Sequence, residues 1–338
     1  MKARGFVLAG TLWMLSLLSA IALAVAFMGR LELKSAGRRQ EGRQAELAAR
    51  SALTFVEQKL RKLDGSYFAL DLLDGQDSWE SGQLPALPFA FTVKLTDESG
   101  KLDLNRATSQ MLEALGFTKA QAAAVCLWWE DHPFATVWEL TEALSIEDLA
   151  EVAEQASLLT TVSQAENLNP NGKPKLVLGR LSSEELLAAS GGEISPSLAG
   201  RLASGAGRGI TELGQLLQIA QSKEELAQLV DWLAEEEGVS RGKLNLNTAP
   251  LEVLQVIPGF GAELSQAILQ RRAEAPFKRL SELVLLPEFP LSSWEKCADW
   301  VTVSSCAFLL EAEGTYRRGK HKIAAVFGQG RYLDWQEE

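Results

Sequence analysis

The chain has 338 residues, 46% of them hydrophobic, and its 33 basic against 44 acidic residues give a net charge of −11. That balance disfavours non-specific phosphate binding by the chain as a whole, so any nucleic-acid site would have to be local. Only two histidines, His132 and His321, are available for metal or triad chemistry, and no nucleophile motif, phosphate loop or locally partnered carboxylate pair points to an enzyme.

Lys2 and Arg4 lead into Gly5-Phe6 and an uncharged run, FVLAGTLWMLSLLSAIALAVAFM, that ends at Met28. As a helix rising ~1.5 Å per residue this run spans about 35 Å, enough to cross a hydrocarbon layer of ~30 Å. The basic residues before it keep the N-terminus cytoplasmic and place residues 29–338 on the outer side. A cleaved secretory signal fits less well, because the run exceeds an h-region and helical character continues past Arg30.

A short basic leader, a Gly and then Phe opening an apolar helix resembles the type IV prepilin signal. The resemblance implies cleavage after Gly5 by a prepilin peptidase and methylation of the new amine on Phe6. Most members of that family carry Glu at the fifth position after the cut; here it is Gly10. A carboxylate in lipid is tolerable only when paired, and the family's Glu is thought to meet the N-terminal amine of the subunit above. A chain without it resembles the K-type minor pseudopilin of type II secretion, general secretion pathway protein K, which caps the pseudopilus tip.

Beyond Met28, Leu53, Val56, Leu60 and Leu63 follow helical spacing and mark one buried face. Gly29, Gly37 and Gly42 weaken the stretch between, each by up to ~1 kcal/mol relative to Ala, so a bend or local melting is expected near 37–42. From Asp64 the chain reads as a loop-rich connector punctuated by Gly65, Asp74-Gly75, Gly82, Pro85 and Pro88. Phe89–Thr96 then alternates as a half-buried strand, and 97–100 turns the chain. Ala307–Glu313, Lys320–Phe327 and Tyr332–Trp335 read as further strands, so one antiparallel sheet is split around an insertion.

The insertion carries an internal repeat. Gly100-Lys-Leu-Asp-Leu-Asn-Arg-Ala-Thr108 matches Gly242-Lys-Leu-Asn-Leu-Asn-Thr-Ala-Pro250, and the match continues through Pro133-Phe134 with Pro276-Phe277 and Glu139-Leu140 with Glu282-Leu283. Asn105 and Asn247 stand where a side-chain oxygen can cap the following helix, and Pro250 suits a first turn. Ile257-Pro258-Gly259-Phe260-Gly261 reads as a tight hairpin with both glycines at positive φ, which makes each unit a helix-hairpin-helix. Between the copies, 181–237 is mostly helical with breaks at Gly191-Gly192 and Gly200–Gly209, and Glu235-Glu236-Glu237 reads as a solvated helix end.

The second copy resembles the helix-hairpin-helix module of competence DNA receptors, in which the hairpin (here Pro258, Gly259 and Gly261) and basic side chains such as Arg271 and Arg272 hold phosphates. Charge opposes that reading: 243–303 has six basic and seven acidic residues, and 101–162 has three and ten. In the first copy Trp128-Trp129 replace the arginine pair; with Trp138 they are read as core. The alternative to DNA is protein contact.

The expected fold is α+β: a long N-terminal transmembrane helix, a pilin-like head with a small antiparallel sheet, and a large inserted helical domain with two helix-hairpin-helix-like repeats. The divisions are a leader at 1–5, a span at 6–28 and the rest of the helix at 29–63. The head takes 64–99 and 304–338, and the insertion 100–303 holds repeats at 100–163 and 242–303. The resemblance, which covers nearly the whole chain, implies an inner-membrane, single-pass protein with its C-terminal domain in the periplasm. Its implied partners are I- and J-type minor pseudopilins, the major pseudopilin, prepilin peptidase and the inner-membrane secretion platform, with secreted cargo a further candidate and nucleic acid disfavoured. No cofactor is required; K-type members can bind calcium in the head, but the ligands cannot be assigned and Asp97 and Glu98 are read as turn formers. Cys126, Cys297 and Cys306 are an odd set, and spacing alone leaves a Cys297–Cys306 disulfide open.

Overall fold

The computed structural model describes residues 2–81, 89–207 and 209–337. The connector's Gly82, Pro85 and Pro88 and the leader's Met1 lie outside these residues.

One α-helix, Lys2–Leu60, runs for 59 residues, about 88 Å at ~1.5 Å each. Of the bend or local melting expected near 37–42, the melting is absent: the helix runs unbroken through Gly37 and Gly42. Gly37 and Gly42 are flanked by strong helix formers (Arg38, Arg39, Gln40, Glu41, Arg43, Gln44), whose propensity offsets two glycines. From Glu41 onward the helix is also held by a sheet. Ala45, Ala48, Ala49, Ala52, Leu53, Val56 and Leu60 are all buried, while Leu63 is half-buried beyond the helix end. Small side chains on this stripe let the helix axis come close to the strands. The strands answer with glycine: a Cβ on Gly314 would collide with the Ala45 carbonyl oxygen, and one on Gly319 would lie 2.5 Å from that of Glu41.

The sheet has the order Ser78–Glu80, Ala90–Asp97, Ala307–Tyr316, Gly319–Gly328, Arg331–Glu337, with every neighbouring pair antiparallel. Its inner face presents Phe91, Val93, Leu95, Phe308, Leu310, Ala312, Ile323, Ala325 and Phe327 to the helix, with Leu310 in register with Leu95 on one side and Ala325 on the other. The alternation seen in the sequence is therefore the alternation of a sheet covered on one face. Ser78–Glu80 was not foreseen, since three residues are too few to show a period.

Between Asp97 and Ala307 the chain builds a separate core that holds most of the buried apolar residues of the insertion. Each matched copy is closed by a two-residue parallel ladder: Leu102-Asp103 beside Leu159-Thr160, and Leu244-Asn245 beside Val301-Thr302. A third ladder of the same kind, Leu176-Val177 beside Leu233-Ala234, closes the stretch between them. That stretch holds helices Ser183–Ser190 and Pro196–Ala206, with Gly192 at φ 98° in the hairpin where the outer units have Gly116 at 99° and Gly259 at 84°. The insertion thus contains three helix-hairpin-helix-like units. The middle one was hidden because it shares little more than Lys175-Leu-Val-Leu178 and Asp231-Trp232 with Lys243-Leu-Asn-Leu246 and Asp299-Trp300.

Several local expectations are corrected. Gly261 is extended at φ −136°, so only Gly259 supplies the left-handed residue of the second hairpin. Pro250 is the residue before helix Leu251–Val256 rather than inside its first turn. Helix Pro196–Ala206 continues through Gly200 and Gly205. Glu235–Glu237 is not a helix end: it follows the strand Leu233-Ala234, and the Glu235 carboxylate accepts the Leu213 N–H at 2.7 Å.

Candidate functional site

From Gly10 to Gln40 the long helix has no protein cover. Its most apolar window has a mean hydropathy of 2.1 with none of it buried, and Trp13 is 77% exposed. It is the one helix among the described residues that is long and apolar enough to cross a membrane. Ser16 returns its hydroxyl to the Leu12 carbonyl at 2.8 Å, which removes a donor from an apolar surround. Gly5 and Phe6 fall in the helix's first turns, and Gly10 has no atom within 4 Å of the place a Cβ would occupy.

The second hairpin was the candidate for phosphate contact. The structure brings Pro258, Gly259 and Gly261 together and packs Gly259 on the protein, where a Cβ would lie 2.9 Å from the Ser293 carbonyl oxygen, while Gly261 and the helix start after it are exposed. Glu263 sits in the first turn of helix Ala262–Glu274, where it repels an anion. The arginines are occupied. Arg271 donates to the Ala275 carbonyl at 2.6 Å and to Glu282 at 2.8 Å, with its guanidinium 5.5 Å over the Phe277 ring. Arg272 donates to the carbonyls of Leu246 and Ala249 at 2.8 and 2.7 Å, and burial lowers its pKa. Both side chains hold the second helix to its own repeat.

The first repeat shows the same frame with different contents. Trp128 stacks on Phe134 at 6.2 Å where Arg271 covers Phe277. Asn105 and Asn247 do not cap helices as expected. Each reaches across its unit and pairs with both backbone groups of one phenylalanine: Asn105 accepts from Phe134 N at 2.7 Å and donates to its carbonyl at 3.0 Å, and Asn247 does the same with Phe277 at 2.7 and 2.9 Å. Helix Ser109–Ala114 is capped instead by Thr108. The repeated spacing of Asn, Pro-Phe and Glu was the available signal, since Glu139 and Glu282 also accept N–H groups of those Phe loops.

Asp97 is more than a turn former. Its Oδ1 accepts from Ser99 N at 2.9 Å and from Ser305 Oγ, and its Oδ2 accepts from Asn245 Nδ2 at 2.8 Å and from Thr248 Oγ1. These partners come from the chain's exit from the sheet, its return and the third unit. Burial pushes the carboxyl pKa up against the pull of the four donors. Glu98 beside it accepts from Lys101 at 2.6 Å and from Thr160 Oγ1.

Trp129 and Trp138 are not core: they are 45% and 59% exposed, and Trp128 is only partly buried against the core. Trp138 lines a cleft of about 850 Å³ between the first unit and the outer face of the sheet, with Leu309, Ala324, Val326 and Leu333 opposite. All three cysteines are free, and burial pushes the Cys297 and Cys306 thiols up to about 12. Among the described residues no three His, Cys, Asp or Glu side chains gather as a metal would require.

Residues 239–302 match the helix-hairpin-helix motif family. A comparison with curated proteins finds no match. Among solved structures, the chain is similar to one from the crystal structure of the GspK-GspI-GspJ complex of the enterotoxigenic Escherichia coli type 2 secretion system. The identity is 14% and the TM-score 0.41, over 92% of this chain and 99% of that one.

Proposed function

We propose that this chain is a minor pseudopilin of type II secretion that sits at the tip of the pseudopilus, primes its assembly and supports protein export across the outer membrane. The observation that carries the reading is the helix Lys2–Leu60, bare and apolar from Gly10 to Met28 and sealed onto one antiparallel sheet in its second half, with a large helical body inserted between two neighbouring strands. The leader is cut after Gly5, Phe6 is methylated, 6–28 span the inner membrane and 29–338 lie in the periplasm. I- and J-type minor pseudopilins are its partners, and the role needs neither catalysis nor a cofactor. Orientation rests on the leader, because Arg30, Lys34, Arg38, Arg39 and Arg43 after the span outnumber Lys2 and Arg4 before it. A large exported domain can translocate regardless of such a count.

Gly10 gives a direct test of the tip position. With no subunit above to offer an amine, Gly10→Glu puts an unpaired acid in lipid at a cost of ~2.5 kcal/mol or more. Secretion from a deletion strain complemented with Gly10→Glu, at matched protein levels, is expected to be unchanged, if the acid protonates, or reduced. An increase in secretion or in filament length would mean that the wild-type subunit has a neighbour above it.

The motif match over 239–302 favours a second reading, a membrane-anchored DNA receptor of the competence type. Arg271 and Arg272 oppose it, being already bonded within their own unit. The purified full chain is expected to give no shift of duplex DNA at low salt, where phosphate contacts are strongest. Micromolar binding that weakens steeply with salt and is lost in Arg271→Glu/Arg272→Glu would establish the receptor instead.

A further inference from the structure

Between the end of the apolar run and the buried stripe that begins at Ala45, the long helix carries Arg30, Lys34, Arg38, Arg39 and Arg43 against Glu32 and Glu41. The five basic residues are all exposed. Arg39 donates to Ser35 Oγ at 3.1 Å; among the described residues no ion pair involves any of the five, and the first along the helix is Arg50 with Glu46. The rest of the chain has the opposite character. From residue 44 onward there are 26 basic and 42 acidic residues, so a cationic collar joins a bare apolar helix to a strongly acidic body.

We propose that this collar is a binding surface for anionic lipid headgroups. The inference rests on residues 6–28 spanning a membrane, and it does not depend on which side the body faces. At ~1.5 Å per residue Arg30 stands about 3 Å beyond Met28 and Lys34 about 9 Å, while a headgroup layer is about 6 Å deep. Both side chains therefore reach lipid phosphates, their apolar stems lying along the helix. Arg38 and Arg39 stand about 15 Å out, and with their own reach they come within a Debye length of ~8–10 Å of the same charges.

Angular placement supports a ring rather than a single face. Successive residues turn about 100°, so Arg30, Lys34 and Arg38 descend one side of the helix while Arg39 and Arg43 occupy the other. An acidic protein surface would neutralise one side; a lipid layer surrounds the helix and meets all of them. A second copy of the chain is a poor partner for the collar outside the membrane plane, because its own collar stands at the same height. The acidic body is repelled by the same headgroups that attract the collar. Together these forces hold the helix at a fixed depth and keep the body clear of the membrane.

The test uses the full chain reconstituted in phosphatidylcholine bilayers containing spin-labelled phosphatidylglycerol or phosphatidylcholine, in which the lipid immobilised at the protein gives the relative association of the two. At 0.1 M salt phosphatidylglycerol is expected to be preferred by about threefold or more, each basic residue near the surface adding to the preference. The preference should fall to about one in 1 M salt and in Arg30→Gln/Lys34→Gln/Arg38→Gln/Arg39→Gln. It should persist in Lys2→Gln/Arg4→Gln. No preference in the wild type would overturn the proposal, as would a preference that survives the fourfold variant or disappears with the Lys2 and Arg4 pair. None of these outcomes bears on the pseudopilin reading, which is decided at Phe6 and Gly10.

Discussion

Asp97→Ala is expected to destabilise the folded chain by about 3 kcal/mol, because it leaves Ser99 N–H, the Asn245 amide and two hydroxyls facing an empty buried site. Ser305 has Ser99 Oγ within 3.1 Å as a substitute acceptor, which keeps the cost below that of four lost bonds. Asp97 lies where the last turn of its strand, the returning segment and the third helix-hairpin-helix unit meet, so its loss loosens the inserted body from the sheet as well as the sheet itself. Urea unfolding of the detergent-solubilised chain, followed by tryptophan fluorescence, reads the change. Trp79 reports the sheet core and Trp232 and Trp294 the inserted core. A loss under about 1 kcal/mol would show that the junction is held elsewhere.

Asp103→Asn is expected to act in the other direction at neutral pH. Asp103 is 6% exposed, and burial raises its carboxyl pKa from 3.8 to about 6, against the Asn105 N–H bond and the charges of Arg106 and Arg241. Its counterpart in the third unit is Asn245, which makes the same turn: Asn105 N reaches Asp103 Oδ1 at 2.9 Å, and Asn247 N reaches Asn245 Oδ1 at 3.1 Å. The folded chain holds the Asp103 proton more tightly than the unfolded chain. The associated stability is complete below about pH 4 and is lost as pH rises through about 6. Two pK units correspond to up to about 3 kcal/mol, so the Asn variant should gain up to that amount at pH 7 and nothing at pH 4. An equal effect at both pH values would mean that ionisation of Asp103 is not what the wild type resists.

What the sequence disclosed follows from how strongly each feature departs from average composition. The uncharged run to Met28, the alternating strands and the Gly-Lys-Leu-x-Leu-Asn repeat each have a period or a length that chance does not supply. The helix face Ala45, Ala48, Ala49 and Ala52 was illegible because alanine carries little hydrophobicity; its meaning comes from Gly314 and Gly319 on strands some 270 residues away. The middle helix-hairpin-helix unit kept the backbone plan and lost the side chains that advertise it. Asn105 and Asn247 were visible as repeated residues, but their partners lie 29 and 30 residues further on, beyond the reach of capping rules. Trp129 and Trp138 break the expectation that large aromatics go inside, and at those positions the third unit has Arg272 and Ser281. Arg271 and Arg272 show the converse: a basic pair that looks available in sequence is spent on carbonyls and one carboxylate within its own repeat.

Mass spectrometry of the mature N-terminus tests the pseudopilin reading most directly. The chain extracted from membranes that contain a prepilin peptidase is expected to begin at Phe6 with a methylated amine, and to begin at Met1 when the peptidase is absent. An intact Met1 in both strains, or a cut near Ala26 by a different peptidase, would contradict it.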